Sequence, residues 1–451
     1  MAGRRGARCP RHPAPERGWQ HGVVRLRAGP SLLTAFAVAG VGGLAACTGG
    51  SAGAGVALRV TPAASVADQP VRITVSGLTP GTAVSLRLRS TDATHVPWSS
   101  SATFRASPAG SVDPARMTAR SGSYTGRSAM GLFWSMRPSA SGSGSSYYWP
   151  GTRPETFDLS VSGDGSMLAS ARLTRRWLVA SGRAETVAGT GFYGDYFVPP
   201  PVPAGKRHPA VLIIGGSQGG LSSTILAAAL ASHGYPALAI AYFGAPGLPA
   251  SLQNIPLEYF AGALRWLRRQ PQVDPARLLT LGISFGSEAA LLLGAHYPGL
   301  VHGVIGAVPS GVTTSPCPHC DYPAWTLHGR PLPYTRQFDA PAPAGAAAVI
   351  PVERIDGPVF LVCGGADRSW ASCGYAKAIM SLLASHHDHY PRQLAAYPAA
   401  GHAVGYLVPY LPGAGIPSPG DGGATADANP AATAAVWPRL LRFLAGPAQG
   451  S

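Results

Sequence analysis

Leu278-Leu279-Thr280-Leu281-Gly282-Ile283-Ser284-Phe285-Gly286-Ser287-Glu288 joins an apolar run of strand length, a serine between two glycines, and the start of a helical segment reaching His296. The pattern Gly-x-Ser-x-Gly has a physical basis. A serine on a sharp strand-to-helix turn presents its hydroxyl at the edge of a sheet, and the flanking glycines let two backbones pass closely. With 58 glycines in 451 residues the pattern also arises by chance, and it occurs three times. Gly49–Gly53 lies in a Gly/Ser-rich tether. Gly215-Gly216-Ser217-Gln218-Gly219 and Gly282–Gly286 both follow an expected strand and precede an expected helix, so chain order must separate them.

Outward from this stretch, continuous apolar runs recur at Val211–Ile214, Ala237–Ala241, Val304–Val308, Val359–Val362 and Leu394–Tyr397. Helical segments lie between them at Ile225–Ala231, Leu257–Arg269, Glu288–His296 and Tyr375–Ala384. Buried strands alternating with helices predict a mainly parallel sheet covered on both faces, an α/β-hydrolase over residues 191–449. Ala340 to Ala348 reads as a low-complexity insertion, and Gly413 to Ala435 as a Gly/Pro/Ala loop before a last helix at Val436–Leu444. In the hydrolase fold the oxyanion loop follows an early strand and the nucleophile comes one or two strand–helix units later. Ser284 follows Ser217 in that order, so Ser284 is the expected nucleophile.

A serine at its ordinary pKa is a poor nucleophile and needs a general base held by a carboxylate. Asp367 follows the apolar strand Val359–Val362 and Gly364-Gly365-Ala366. His402 follows the last strand, in Tyr397-Pro398-Ala399-Ala400-Gly401-His402. The order Ser–Asp–His suits this fold. His386, His387 and His389 read as a solvated run late in a helix, and His296 and His302 fall in the wrong chain order. The oxyanion hole needs two backbone N–H groups, expected from Ser217 and from Phe285, next after the nucleophile.

Residues 57–190 follow a different regime. Val84, Leu86 and Leu88 alternate with Ser85, Arg87 and Arg89, as on a half-buried strand. Similar runs at Val71–Val75, Ala102–Ala106 and Phe157–Val161, separated by Gly, Pro and Ser turns, predict an all-β immunoglobulin-like sandwich. No catalytic cluster is evident there, so a packing or substrate-gating role is expected.

The apolar content of 46% excludes a disordered chain, and unperiodic Gly and Pro exclude a collagen-like rod. The net charge of +15 is not read as a nucleic-acid signal. Only Lys206 and Lys377 are lysines, and an arginine bias alongside abundant Ala, Gly and Pro fits a GC-rich genome. No basic stripe interleaved with aromatics occurs, so no nucleic-acid partner is expected.

Arg25 and Arg27 precede an apolar run from Leu32 to Ala46, shorter than the ~20 residues that span a bilayer. It ends Leu44-Ala45-Ala46-Cys47, which resembles the lipobox of bacterial lipoproteins. Residues 1–47 are therefore expected to be an export signal with lipidation at Cys47, and 48–56 a flexible tether. The protein would sit on the outer face of the cell membrane, held by its lipid anchor. An ordinary cleaved signal, or an N-terminal extension on a cytoplasmic protein, is the alternative. In an exported protein Cys317, Cys320, Cys363 and Cys373 can pair. The pattern 317–320 plus 363–373 fits the spacing, but sequence leaves the connectivity open. Cys317-Pro-His-Cys320 lacks the strand and helix that a redox motif uses, so a structural staple is expected ahead of redox catalysis or a zinc site with His319 or His328. No metal and no cofactor are expected.

The order of sandwich then hydrolase resembles the acyl-CoA thioesterase and bile acid-CoA:amino acid N-acyltransferase family. The resemblance rests on Leu78-Thr79-Pro80-Gly81, Ala102-Thr103-Phe104 and Met130–Met136 in the first domain. In the second it rests on Gly282–Glu288, Ile350-Pro351-Val352-Glu353, Asp367-Arg368-Ser369-Trp370, Tyr397–His402 and Trp437–Leu444. It implies a Ser (or Cys)–Asp–His triad acting on acyl-CoA thioesters, with a small-molecule acyl thioester or ester as the partner. The serine nucleophile favours hydrolysis over transfer to an amine, since the amidating members resemble this chain with Cys. Phe285 replaces a position often basic in the family. An extracytoplasmic carboxylesterase or acyltransferase on envelope lipids, an N-acyltransferase to an amino acid, and a non-enzymatic anchored binding protein are the other readings.

Overall fold

A computed structural model describes residues 55–139, 147–151, 153–201, 206–317, 320–337, 341, 346–386, 389–422 and 424–446. Cys47 and the expected signal and tether up to residue 54 lie outside these residues, as do His319, His387 and most of 340–348.

The N-terminal region pairs strands of alternating character. In Ala83–Thr91, Val84, Leu86, Leu88 and Ser90 are buried while Arg87 and Arg89 are exposed. This strand lies between Glu155–Gly163 and Pro97–Arg105, antiparallel to both. Ser166–Arg176 and Ala64–Val66 extend the sheet beyond Glu155–Gly163, and Ser121–Gly122 borders Pro97–Arg105. A smaller sheet of Ala57–Thr61 and Arg72–Ser76 completes the sandwich. Val71, Ile73 and Val75 from its side share a core with Leu86, Leu88, Phe104, Phe157 and Leu173. Each such side chain contributes roughly 1.5–3 kcal/mol by leaving water.

Ser166–Arg176 was not among the expected strands, because its alternation is broken at both ends. Met167 is 71% and Leu168 38% exposed, while Arg175 is buried. The Arg175 guanidinium donates to the carbonyls of Ala67 and Gln69 and lies 4.9 Å over the Phe133 ring. Those acceptors make the buried cation tolerable.

The C-terminal region carries an eight-stranded sheet in the order Arg183–Val187, Tyr193–Val198, Ala237–Ala241, His208–Ile214, Val273–Ile283, Val304–Ala307, Val359–Gly364 and Arg392–Tyr397. Tyr193–Val198 runs antiparallel to its neighbours, and the six strands beyond it pair in parallel. The sheet begins at Arg183, ahead of residue 191, because Arg183–Val187 pairs with Tyr193–Val198. Successive residues face opposite cores, as the pleat requires. Val211 and Ile213 join the helices Thr224–Ser232 and Ala428–Ala445 and the sandwich core. Leu212 and Ile214 join the helices Leu257–Arg268, Phe285–His296 and Ser372–Ser385.

The last helix starts at Ala428 rather than Val436. Its first turns are rich in Ala, a strong helix former, and Pro430 sits in the first turn, where its missing N–H has no intrahelical partner to lose. Sandwich and hydrolase belong to one compact unit from Ala54 onward. Asp68 of the sandwich, nearly buried, bonds His233 Nε2 and accepts the Trp437 indole N–H at 2.8 Å. Cysteines 317 and 320 form a disulfide, as do 363 and 373.

Candidate active site

Ser284 stands between the strand Val273–Ile283 and the helix Phe285–His296, with φ 55° and ψ −124°, a region sparsely used by residues other than glycine. Its surroundings fix that conformation. The Ser284 N–H donates to the Ala307 carbonyl at 3.0 Å, and the Ser284 carbonyl accepts from the Ser287 N–H and hydroxyl at 2.8 and 2.6 Å. The flanking glycines are required by close approach. A Cβ on Gly282 would overlap the Gly286 carbonyl, and one on Gly286 would overlap the carbonyl oxygens of Ile214 and Gly215.

Three loops at the C-terminal ends of parallel strands converge here. His402 Nε2 lies 3.1 Å from Ser284 Oγ, and His402 Nδ1 lies 3.0 and 2.9 Å from the two oxygens of Asp367. Because a carboxylate only accepts, Nδ1 carries the proton and Nε2 is the acceptor facing the serine. The Asp367 side chain is fully covered, whereas the His402 side chain keeps 22% exposure. Asp367 Oδ1 also accepts the backbone N–H groups of Ser369 and Trp370. Cys363 is the last residue but one of the preceding strand and Cys373 the second of the following helix, so their disulfide brackets the Asp367 loop. Around His402, Gly401 donates its N–H to Asn429 Oδ1 at 2.8 Å and Ala403 to Asp421 Oδ1 at 3.1 Å. Trp370 donates to the Val308 carbonyl and packs 5.2 Å from the Phe285 ring and 6.1 Å from the His402 ring.

The expected oxyanion turn lies beside Ser284. A Cβ on Gly216 would stand 3.2 Å from Ser284 Cβ, Ser217 is exposed, and Phe285 opens the elbow helix. Of the other histidines, His302 accepts the Leu278 N–H through Nδ1, a structural role, and His386 is exposed at the end of its helix.

Three polar residues around this centre were not foreseen. The buried Tyr242 hydroxyl bonds the Gly215 and Gly216 carbonyls at 2.8 and 3.0 Å. The signal was available, since Tyr242 directly follows the strand Ala237–Ala241, at the sheet edge where α/β folds place their sites. Tyr406 hydrogen-bonds both Gln218 of the Gly215–Gly219 turn and Tyr147 of the sandwich, and burial pushes its phenol well above the usual value. Glu288, one turn along the elbow helix, is fully buried. Burial raises its carboxyl to about 8, although Thr314 and Trp325 hydrogen bonds oppose the shift. Among the described residues no group of three or more His, Cys, Asp or Glu could hold a metal ion, and no helix is long and apolar enough to cross a membrane.

A serine on the elbow, the strand order and the Ser284–His402–Asp367 chain define an α/β-hydrolase. Residues 68–188 match the family described as acyl-CoA thioester hydrolase/BAAT N-terminal region, and residues 255–446 that described as BAAT / acyl-CoA thioester hydrolase C terminal. Acyl-coenzyme A thioesterase 1 of Rattus norvegicus is 30% identical over 364 residues, covering 76% of this chain and 84% of that protein. Acyl-coenzyme A amino acid N-acyltransferase 2 of Mus musculus is 28% identical over 378 residues, covering 79% and 88%. A putative dienelactone hydrolase from Klebsiella pneumoniae aligns with 59% of this chain and 98% of its own at 15% identity and a TM-score of 0.39. The chain belongs to the acyl-CoA thioester hydrolase and bile acid-CoA:amino acid N-acyltransferase family, and it is a hydrolase enzyme.

Proposed function

We propose that the enzyme hydrolyses acyl-CoA thioesters to a fatty acid and CoA through a Ser284–His402–Asp367 triad and an acyl-enzyme. The observation that carries this reading is the 3.1 Å contact of His402 Nε2 with Ser284 Oγ, backed by Asp367 on Nδ1. His402 takes the Ser284 proton as Oγ attacks the thioester carbonyl. Asp367 holds the ring in the required tautomer and stabilises the imidazolium. The tetrahedral oxyanion is held by the N–H groups of Phe285 and Ser217. Collapse expels the CoA thiolate, which takes the proton from His402. Water, deprotonated by the same histidine, then attacks the acyl-enzyme and releases the acid with Ser284 restored. General-base help supplies about 10²–10⁴-fold and each oxyanion donor about 10²–10³-fold.

A second reading keeps the triad and changes the donor. Two disulfides suit an oxidising compartment. Together with the leader-like residues 1–47 they favour an exported protein lipidated at Cys47, acting on envelope esters as a carboxylesterase or acyltransferase. Residues 48–451 are to be assayed with palmitoyl-CoA for free thiol, beside Ser284→Ala. Serine-dependent thiol release is the expected result. No release from a protein whose Ser284 still reacts with a fluorophosphonate would transfer the assignment to esters, and wild-type rates in Ser284→Ala would overturn both.

A further inference from the structure

One phenol organises the turn beside the nucleophile. Tyr242 is fully buried, and its single proton is shared between the carbonyls of Gly215 and Gly216. In a trans peptide the N–H of the next residue points opposite to the carbonyl. Anchoring these two oxygens to Tyr242 therefore turns the N–H groups of Gly216 and Ser217 to the other side of the turn. The same turn is pressed against Ser284, 3.2 Å from its Cβ at the position a Gly216 side chain would take. Tyr242 is itself held from behind. Its ring lies 5.7 Å from that of Trp325, whose indole donates to Glu288 at 2.8 Å, and Glu288 rides on the helix that Phe285 opens. A continuous layer thus connects the turn carrying Ser217 to the helix carrying Phe285. Burial keeps the Tyr242 phenol far above its usual pKa, so it remains a donor at every working pH.

We propose that Tyr242 is a positioning residue that aims the Gly216–Ser217 peptide at the reacting carbonyl oxygen. The inference rests on the Ser284 reading above. It separates two roles for one hydroxyl: a purely structural hydrogen bond would matter for melting, whereas an aiming hydrogen bond matters for the transition state.

The test uses the full chain and p-nitrophenyl butyrate, with kcat counted per active site titrated by a fluorophosphonate and with butylboronic acid as the tetrahedral mimic. Tyr242→Phe keeps the ring and its packing. It is expected to lower kcat by at least about tenfold, to leave KM within about twofold, and to weaken boronic-acid inhibition by the same factor as kcat, since aim is lost rather than a whole donor. A Tyr242→Phe enzyme with wild-type kcat and boronic-acid affinity, whatever its melting temperature, would overturn the proposal. Should that variant not fold, Gly216→Ala moves the same peptide from the Ser284 side, and an unchanged kcat there would overturn it equally. Equal rates in wild type and Ser284→Ala would instead remove the nucleophile reading on which it stands.

Discussion

The Trp134 carbonyl accepts the Gly415 N–H at 2.9 Å, and Arg137 returns a guanidinium N–H to the Gly415 carbonyl at the same distance. The sandwich thereby grips the segment that leaves the His402 turn. Arg137→Ala leaves that carbonyl without its charged donor and is expected to cost about 1–3 kcal/mol of stability. A looser histidine turn should lower kcat while KM stays nearly constant. Urea unfolding and steady-state kinetics on the same preparation check this, and an unchanged kcat would show that Asp421 and Asn429 suffice to hold the turn.

Asp367→Asn preserves shape but presents an amide to His402 Nδ1. The imidazole can then settle in the tautomer that places its proton toward Ser284, where an acceptor is needed. A loss of about 10⁴-fold in kcat, as in the chymotrypsin-type triad, with little change in melting temperature is the expected outcome. Rates within tenfold of wild type would show that another group orients the histidine.

Glu288 gives the protein a pH-dependent stability with a definite sign. Its carboxyl rises from 4.5 to about 8 in the folded state. Between those values the folded protein holds a proton that the unfolded chain has released, so this group's contribution is complete below about pH 4.5 and is lost as pH rises through 8. The slope is about 1.4 kcal/mol per pH unit from this one group. Denaturant melts of wild type and of Glu288→Gln, the neutral isostere of the protonated acid, should lie closest at pH 5 and diverge toward pH 9 as the wild type alone loses stability, and parallel curves would contradict the assignment.

The two disulfides should differ in worth. Cys363–Cys373 ties a strand to a helix around the Asp367 loop, whereas Cys317–Cys320 closes a turn of sequence separation 3. Replacing Cys363 and Cys373 by Ser is expected to cost about 2–3 kcal/mol and to slow fluorophosphonate labelling of Ser284, while the same change at Cys317 and Cys320 costs less. Equal effects of the two pairs on labelling would refute a link between the first disulfide and the acid.

Gly282→Ala and Gly286→Ala place a methyl group onto backbone oxygens that cannot yield. Neither variant should accumulate as folded protein in a thermal-melt screen, and a folded Gly286→Ala would show that the elbow can relax.

The three residues that converge at this site were legible in the sequence because their signals are local. Glycine-flanked Ser284, and Asp367 and His402 just past apolar strands, all occupy turns whose chemistry is written within a few residues. Tyr242, Tyr406 and Glu288 were silent because their roles depend on partners far along the chain, such as Gly216 for Tyr242 and Trp325 for Glu288. The same physics hid one strand of the sandwich. Arg175 on an apolar face breaks the two-residue period that marks a half-buried strand, and the distant carbonyls of Ala67 and Gln69 with the Phe133 ring explain why it is tolerated. The last helix was underestimated for the opposite reason, since the Ala and Pro residues at its start resemble loop composition.

Asp68 meets Trp437 across 369 residues. A ribosome releases the first strands long before the final helix, and until that helix arrives the Asp68 carboxylate lacks a partner it has in the finished protein. Truncating the chain before Trp437 should therefore do more than shorten the hydrolase. It would leave the opening domain, already synthesised, with an unsealed edge for chaperones and proteases to find.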